Sequence, residues 1–157
     1  MPFGFTEVTE YMYILGSFGV YDTKNPYIDE LPQTIKFGDI SSQGLLFYGG
    51  NVDYHLGHLE ANKIFIPYYK GGLIEVLSDD KEQGEIIYSP YTFDISGKTD
   101  ITLRLYGTRI NTFGQLHNVK HDKFGWFGSE SWRTYGDNWT YDYLPWEQGI
   151  LKTPLID

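Results

Sequence analysis

Cysteine is missing from all 157 residues. Its absence excludes a disulfide framework and any thiolate metal site, and it leaves the compartment open. Long apolar runs are missing too. No stretch approaches the roughly 20 residues that a bilayer span needs, so no membrane is expected as partner. Residues 1–10 place no basic segment ahead of an apolar one, so no secretory leader is expected. Positive charge is scarce: Lys and Arg number 12 against 21 Asp and Glu, for a formal net charge of −9. Nucleic acid and anionic surfaces are disfavoured partners, because most nonspecific affinity for phosphates comes from basic side chains. The longest basic candidate, Lys120-His121-Asp122-Lys123, carries its own acid.

What the chain does have is aromatic mass. Tyr 14, Phe 10 and Trp 4 make up 18% of the sequence. Tyr and Trp carry a large apolar body with a polar edge, which suits cores, interfaces and sugar-facing platforms. Gly 18 and Pro 7 point to many turns rather than long helices. The length suits one domain, large enough for a core without staples.

Period-2 alternation recurs along the chain. Residues 11–18 alternate and are aromatic-rich, which predicts a first strand. Residues 21–44 hold Pro26, Pro32, Gly38 and Gly44 and keep no helical period, so they read as a long connection with one short helical turn over 27–31. From there Val52, Tyr54 and Leu56 oppose Asp53, His55 and Gly57. A short run at Ile64, Phe65 and Ile66 is ended by Pro67. Lys70-Gly71-Gly72 predicts a turn into a strand over 73–77. Ser78-Asp79-Asp80-Lys81 predicts another turn, with a brief extension over 85–88. The clearest strand covers 101–106, with Ile101, Leu103 and Leu105 inward and Thr102, Arg104 and Tyr106 outward. Trp139, Tyr141 and Tyr143 alternate against Thr140, Asp142 and Leu144 like a core strand, and one further strand is expected near 115–119. Many short strands with no amphipathic helix argue for an all-β antiparallel β-sandwich. No internal repeat points to a propeller or solenoid.

Catalytic chemistry finds little to stand on. Asp79-Asp80 reads as a turn pair capping its own backbone. Asp137 and Asp142 flank Trp139 and suit hydrogen bonding to a sugar hydroxyl better than a catalytic pair. His55 and His58 fall on opposite faces of a strand. His117 and His121 are four apart but sit among glycines, where no helix brings them together, so no zinc set can be assembled. Gly128-Ser129-Glu130 breaks the nucleophile-elbow pattern. Gly16-Ser17-Phe18-Gly19 lacks the third glycine and the helix of a dinucleotide site. No cofactor is expected beyond a structural calcium, for which Asp22, Asp39, Asp53 and Asp79 are the available ligands. Asn138-Trp139-Thr140 matches the three-residue glycosylation pattern.

The positive signal is residues 107–145. Sugar recognition needs flat apolar rings against pyranose C–H faces and planar polar groups against hydroxyls. The segment offers Trp126, Trp132, Arg133, His117, Asn111, Arg109 and Tyr135 as ligand-binding residues. The plainer reading stands beside this one: Arg109 and Arg133 pair with loop acids, and Trp126 and Trp132 anchor the loop.

Three stretches carry a resemblance. Gly44-Leu-Leu-Phe-Tyr-Gly-Gly-Asn-Val-Asp-Tyr54 resembles the start of the sugar-binding jelly-roll domain attached to large bacterial glycoside hydrolases of the β-galactosidase, β-glucuronidase and rhamnosidase-like groups. Tyr91-Thr-Phe-Asp-Ile-Ser-Gly-Lys-Thr-Asp-Ile-Thr-Leu-Arg-Leu-Tyr-Gly107 is similar to a strand of theirs that ends in a tight turn. Arg109-Ile-Asn-Thr-Phe-Gly-Gln-Leu-His-Asn118, Trp132-Arg-Thr134 and Trp139-Thr-Tyr-Asp-Tyr143 look like a C-terminal segment of the same group. The resemblance implies a galactose-binding domain-like jelly roll over 44–157, with 1–43 an N-terminal strand and long connection packed on it. It places hydrolysis in a separate barrel outside these residues, so no enzymatic role is expected of this chain. The expected function is a non-catalytic carbohydrate-binding module or accessory domain whose partner is a glycan. The alternative is a structural or protein-interaction domain, docked on a glycoside hydrolase catalytic domain or on a second copy of itself.

Overall fold

A computed structural model describes residues 13–119 and 136–157. Its main sheet follows from the alternation of apolar and polar residues. Strand β3 (Val52–Gly57) buries Val52 and Tyr54 and exposes Asp53 and His55. Strand β9 (Ile101–Leu105) buries Ile101, Leu103 and Leu105 to 1% exposure or less. Strands β6 (Ile74–Ser78) and β7 (Lys81–Ile86) contribute Ile74, Val76 and Ile86 to the same core. All four pair antiparallel in the order β3-β9-β6-β7. The register stacks like with like. Val52, Leu105, Ile74 and Ile86 form one inner row, while Asp53, Arg104, Glu75 and Glu85 form the row facing out.

A three-stranded sheet of β11 (Leu155–Ile156), β4 (Lys63–Phe65) and β8 (Thr92–Asp94) is antiparallel throughout. Ile64 and Ile66, which flank the end of β4, and Ile95 just past β8 join the inner face of the four-stranded sheet in one core cluster. Burying each such side chain contributes roughly 1.5–3 kcal/mol. A two-stranded ribbon, β5 (Tyr69–Lys70) with β10 (Gly149–Ile150), adds Ile150 to that cluster. The molecule is therefore all-β with antiparallel sheets.

Loop chemistry closes the sheets. Asp79 and Asp80 both take positive φ (49° and 60°) in the two-residue link from Ser78 to Lys81. Positive φ at both central residues is the hairpin geometry that matches strand twist, and Asp tolerates it. The turn reading of this pair holds. A second hub is Asp39. Its Oδ1 accepts from the backbone N–H groups of Ser41 and Gln148 (3.1 and 3.0 Å). The buried Gln148 Oε1 in turn accepts from the Thr108 N–H and hydroxyl. Asp39 thereby caps a 3-10 turn (Ile40–Gln43) and ties it to the C-terminal ribbon.

Four local expectations need correction. Residues 13–18 form no strand; the first, β1 (Gly19–Tyr21), starts later, after a bend at Gly16 and Ser17. The helical turn expected over 27–31 is instead β2 (Tyr27–Asp29), paired with β1, and Tyr21 and Tyr27 stack at 5.6 Å across that pairing. Around 115–119 there is a single bridge, Asn118 to Trp139, and no strand. Residues 139–143 are irregular as well, because Asp137, Asn138 and Asp142 favour turns, and Tyr141 is 86% exposed.

Leu103 is fully buried on the central strand. Leu103→Ala is expected to cost about 2–5 kcal/mol in urea unfolding, whereas an alanine at exposed Thr92 should cost far less.

Candidate functional site

The segment singled out in the sequence is built on a four-residue helix, α1 (Ile110–Phe113), that follows β9. Asn111 is 1% exposed, and both ends of its amide serve the backbone of Trp146. Nδ2 donates to the Trp146 carbonyl at 2.8 Å, and Oδ1 accepts from the Trp146 N–H at 2.9 Å. Its role in the geometry is to pin the returning chain. Thr112 adds a bond from its hydroxyl to the Phe47 carbonyl. Arg109 is exposed at the helix start, with its stem against Gly49. Trp126, Trp132, Arg133 and Tyr135 lie in 120–135, outside the described residues.

Beyond α1, residues 116–119 run against 138–144. Backbone bonds join Leu144 N to Leu116 O, Thr140 N to His117 O, and Val119 N to Asn138 O. His117 sits half-buried in this seam. Its Nδ1 lies 3.0 Å from the Thr140 carbonyl and 3.2 Å from the Asp142 carbonyl. Carbonyls only accept, so Nδ1 carries the hydrogen and Nε2 is left with its lone pair in the neutral ring. A run of rings passes through this histidine. Phe47 meets Tyr143 edge-on at 5.1 Å; Tyr143 lies 4.6 Å from His117; Trp139 lies 5.6 Å beyond it; and Tyr141 stands edge-on to Trp139 at 4.4 Å. The run begins at half-buried Phe47 and ends on the exposed Tyr141 ring. Of the expected site residues that are described, His117 takes part in it, and Asn111 and Arg109 stand apart from it. The alternation of Trp139, Tyr141 and Tyr143 predicts a core strand, which would bury Tyr141. The turn-forming residues on either side were the available signal that the segment is a loop.

In the same segment the buried Gln115 Nε2 has no hydrogen-bond partner among the described residues. Leaving such a donor unpaired costs about 1–3 kcal/mol.

A second polar surface, not singled out from the sequence as a site, is the outer face of the four-stranded sheet. Arg104 donates through Nε and Nη2 to the two carboxylate oxygens of Asp53, both at 2.8 Å. Its Nη1 lies 3.6 Å from Glu75. Tyr106 donates to the same Glu75 carboxylate at 3.3 Å, and the negative charge of Glu75 raises the tyrosine's pKa. The Arg104 hydrogen bond holds the Asp53 carboxyl below the usual carboxylate range. One strand pair away, the His55 ring bonds Thr102 through Nδ1 at 3.0 Å.

The four acids considered for calcium are spread over separate tasks. Asp22 accepts from Lys24 N, Asp39 caps the 3-10 turn, Asp53 pairs with Arg104, and Asp79 accepts from Thr99. Among the described residues no group of three or more His, Asp or Glu stands where it could hold a metal ion, and no helix is long and apolar enough to cross a membrane. Comparison with protein-family models, with curated proteins and with solved structures gives no match. The functional reading therefore rests on residues and geometry.

Because Asp53 titrates lower in the folded chain than in the unfolded one, its ion pair stabilises above the ordinary carboxylate pKa of about 4. That stabilisation is lost as pH falls through the folded-state pKa. Asp53→Asn should be less stable than the parent near pH 7, with the gap closing as pH drops below about 4, in urea unfolding at several pH values.

Proposed function

We propose that this chain is a non-catalytic carbohydrate-binding or accessory domain whose glycan contact centres on Tyr141. The observation that carries the reading is the run of rings from Phe47 to Tyr141, which holds an 86% exposed aromatic face in place from beneath. A loop tyrosine with no such support loses rotamer freedom on binding, whereas a supported ring has already lost it. Pyranose C–H faces pack on such a ring, and hydroxyls find planar partners beside it. His117, with Nδ1 held by the Thr140 and Asp142 carbonyls, supplies an acceptor at Nε2. Arg109, exposed at the start of α1, is retained as a contact at the rim, and Trp126, Trp132, Arg133 and Tyr135 as contacts from 120–135. Asn111 enters as the clamp that positions the 139–146 loop. The finer architecture that goes with this reading is a jelly-roll sandwich of the galactose-binding type; the core cluster shared by the four- and three-stranded sheets supports it. On this reading the chain works beside a glycoside hydrolase catalytic domain.

One observation favours the second reading, a structural or interaction domain. Tyr13, Ile14, Leu15, Tyr27, Ile28 and Leu31 are all exposed, Leu15 at 90%. Large apolar side chains exposed in number along one stretch of chain offer contact sites. Sedimentation that shows a monomer at all concentrations would count against self-association through them.

A glycan panel titrated against tryptophan fluorescence tests the first reading, since Trp139 touches Tyr141. Tyr141→Ala should weaken the best glycan by about tenfold or more without loss of the folded spectrum. Silence from every glycan at millimolar concentration would overturn the proposal.

A further inference from the structure

Strand β7 ends the four-stranded sheet and β8 ends the three-stranded one. Between these two edges runs an open groove of about 610 Å³, lined by Glu82, Glu85, Ile86, Ile87, Tyr88 and Thr92. Its exposed apolar part is Ile87, over Ile86 sealed in the core, and Tyr88 stands 82% exposed at its end. Each is hydrogen-bonded to a neighbouring strand on one side only. On β7 the Ile86 carbonyl accepts from the Tyr69 hydroxyl at 3.3 Å, and the rest of its outer edge pairs with no strand, which is how sheets accept an added strand.

The pairing of β7 carries more detail. Glu85 lies opposite Glu75 and Glu82 opposite Leu77, while the register shifts between them and leaves Gln83 without a partner on β6. Three positions apart on a regular strand, two side chains point to opposite faces. The extra residue of the bulge turns both glutamates to the same face, spaced like alternate residues of a strand, at about 7 Å. Neither glutamate has an ion pair among the described residues, and the nearby Arg104 is already taken by Asp53 and Glu75. Two uncompensated carboxylates at alternate-residue spacing beside an unpaired strand edge match one kind of occupant.

We infer that this groove docks an extended polypeptide segment with Lys or Arg at alternate positions, added antiparallel or parallel to β7. Its backbone pairs with the strand edge, its basic side chains meet Glu82 and Glu85, and an intervening apolar side chain on the opposite face lies against Tyr88. Charge at the edge has a double effect. It repels acidic strands, makes a neutral one desolvate two unpaired carboxylates, and so selects a basic one. The inference does not depend on the glycan reading, because no residue of the groove belongs to the Tyr141 loop.

The test is a nuclear magnetic resonance titration of the whole chain at low salt. The probes are a blocked hexapeptide alternating lysine and valine, its glutamate-for-lysine counterpart, the lysine peptide with alternate backbone nitrogens methylated, and a glucosamine oligomer. The lysine peptide should shift the amides of residues 81–88, and it should weaken at least about tenfold in the Glu82→Gln, Glu85→Gln double variant and on raising salt. The methylated peptide should bind more weakly, and Tyr141→Ala should leave the lysine peptide unaffected. Equal binding of the lysine and glutamate peptides, or full binding of the methylated one, would overturn the inference. So would shifts confined to residues away from 81–88 and 91–94, no response at millimolar peptide, or preference of this groove for the glucosamine oligomer. The double variant's own amide spectrum shows whether it is folded.

Discussion

The burial of one face of β9 is the constraint on which the rest depends. This strand is bonded on both sides, to β3 and to β6, and its three inward side chains are sealed. A strand cannot slip by one residue under those conditions without turning Ile101, Leu103 and Leu105 to water and Thr102 and Arg104 into the core. The cost of that exchange fixes the register of both neighbours. It therefore also fixes which polar groups meet on the outer face: Arg104 finds Asp53 on one side and Glu75 on the other because the core allows no other alignment. The same strand delivers the chain into α1, and from there Asn111 sets where the aromatic loop returns.

Much of this was legible in the residues. Strict alternation at 52–55 and 101–105, with large aliphatics on one side and charges on the other, reports a half-buried strand directly. The pair Asp79-Asp80 between two such runs reports a hairpin turn through its tolerance of positive φ. The placement of Arg104 and Thr102 on the face away from the core followed from the same pattern, although Thr102 is itself buried there, with its hydroxyl against His55.

Other features have no local signature. β10 and β11 are two residues each, and they exist because β5 and β4 offer an edge, a property of the assembled sheets rather than of Gly149–Ile150 or Leu155–Ile156. Tyr27–Asp29 pairs instead with its near neighbour β1, in a two-stranded ribbon of its own. In 139–143 the alternation of Trp139, Tyr141 and Tyr143 imitates a core strand, but ring-to-ring contacts with His117 and Phe47, not a sheet, decide where those side chains go. The bulge at Gln83 has a faint signal in the glycine beside it, Gly84, which takes positive φ, but that signal does not say that Glu82 and Glu85 end on one face.

One contact between loops has a further consequence. A side chain at position 107 would run into the carbonyl oxygen of Gly50, so the chain leaving β9 and the chain entering β3 touch backbone to backbone. Side-chain clashes can be relieved by trimming a neighbour; this one cannot, because every residue type has the same carbonyl. No second substitution elsewhere compensates, and drift at position 107 is closed off by geometry alone. Among diverging descendants of this chain, glycine there is the residue to use as an anchor for alignment when the surface around it has changed beyond recognition.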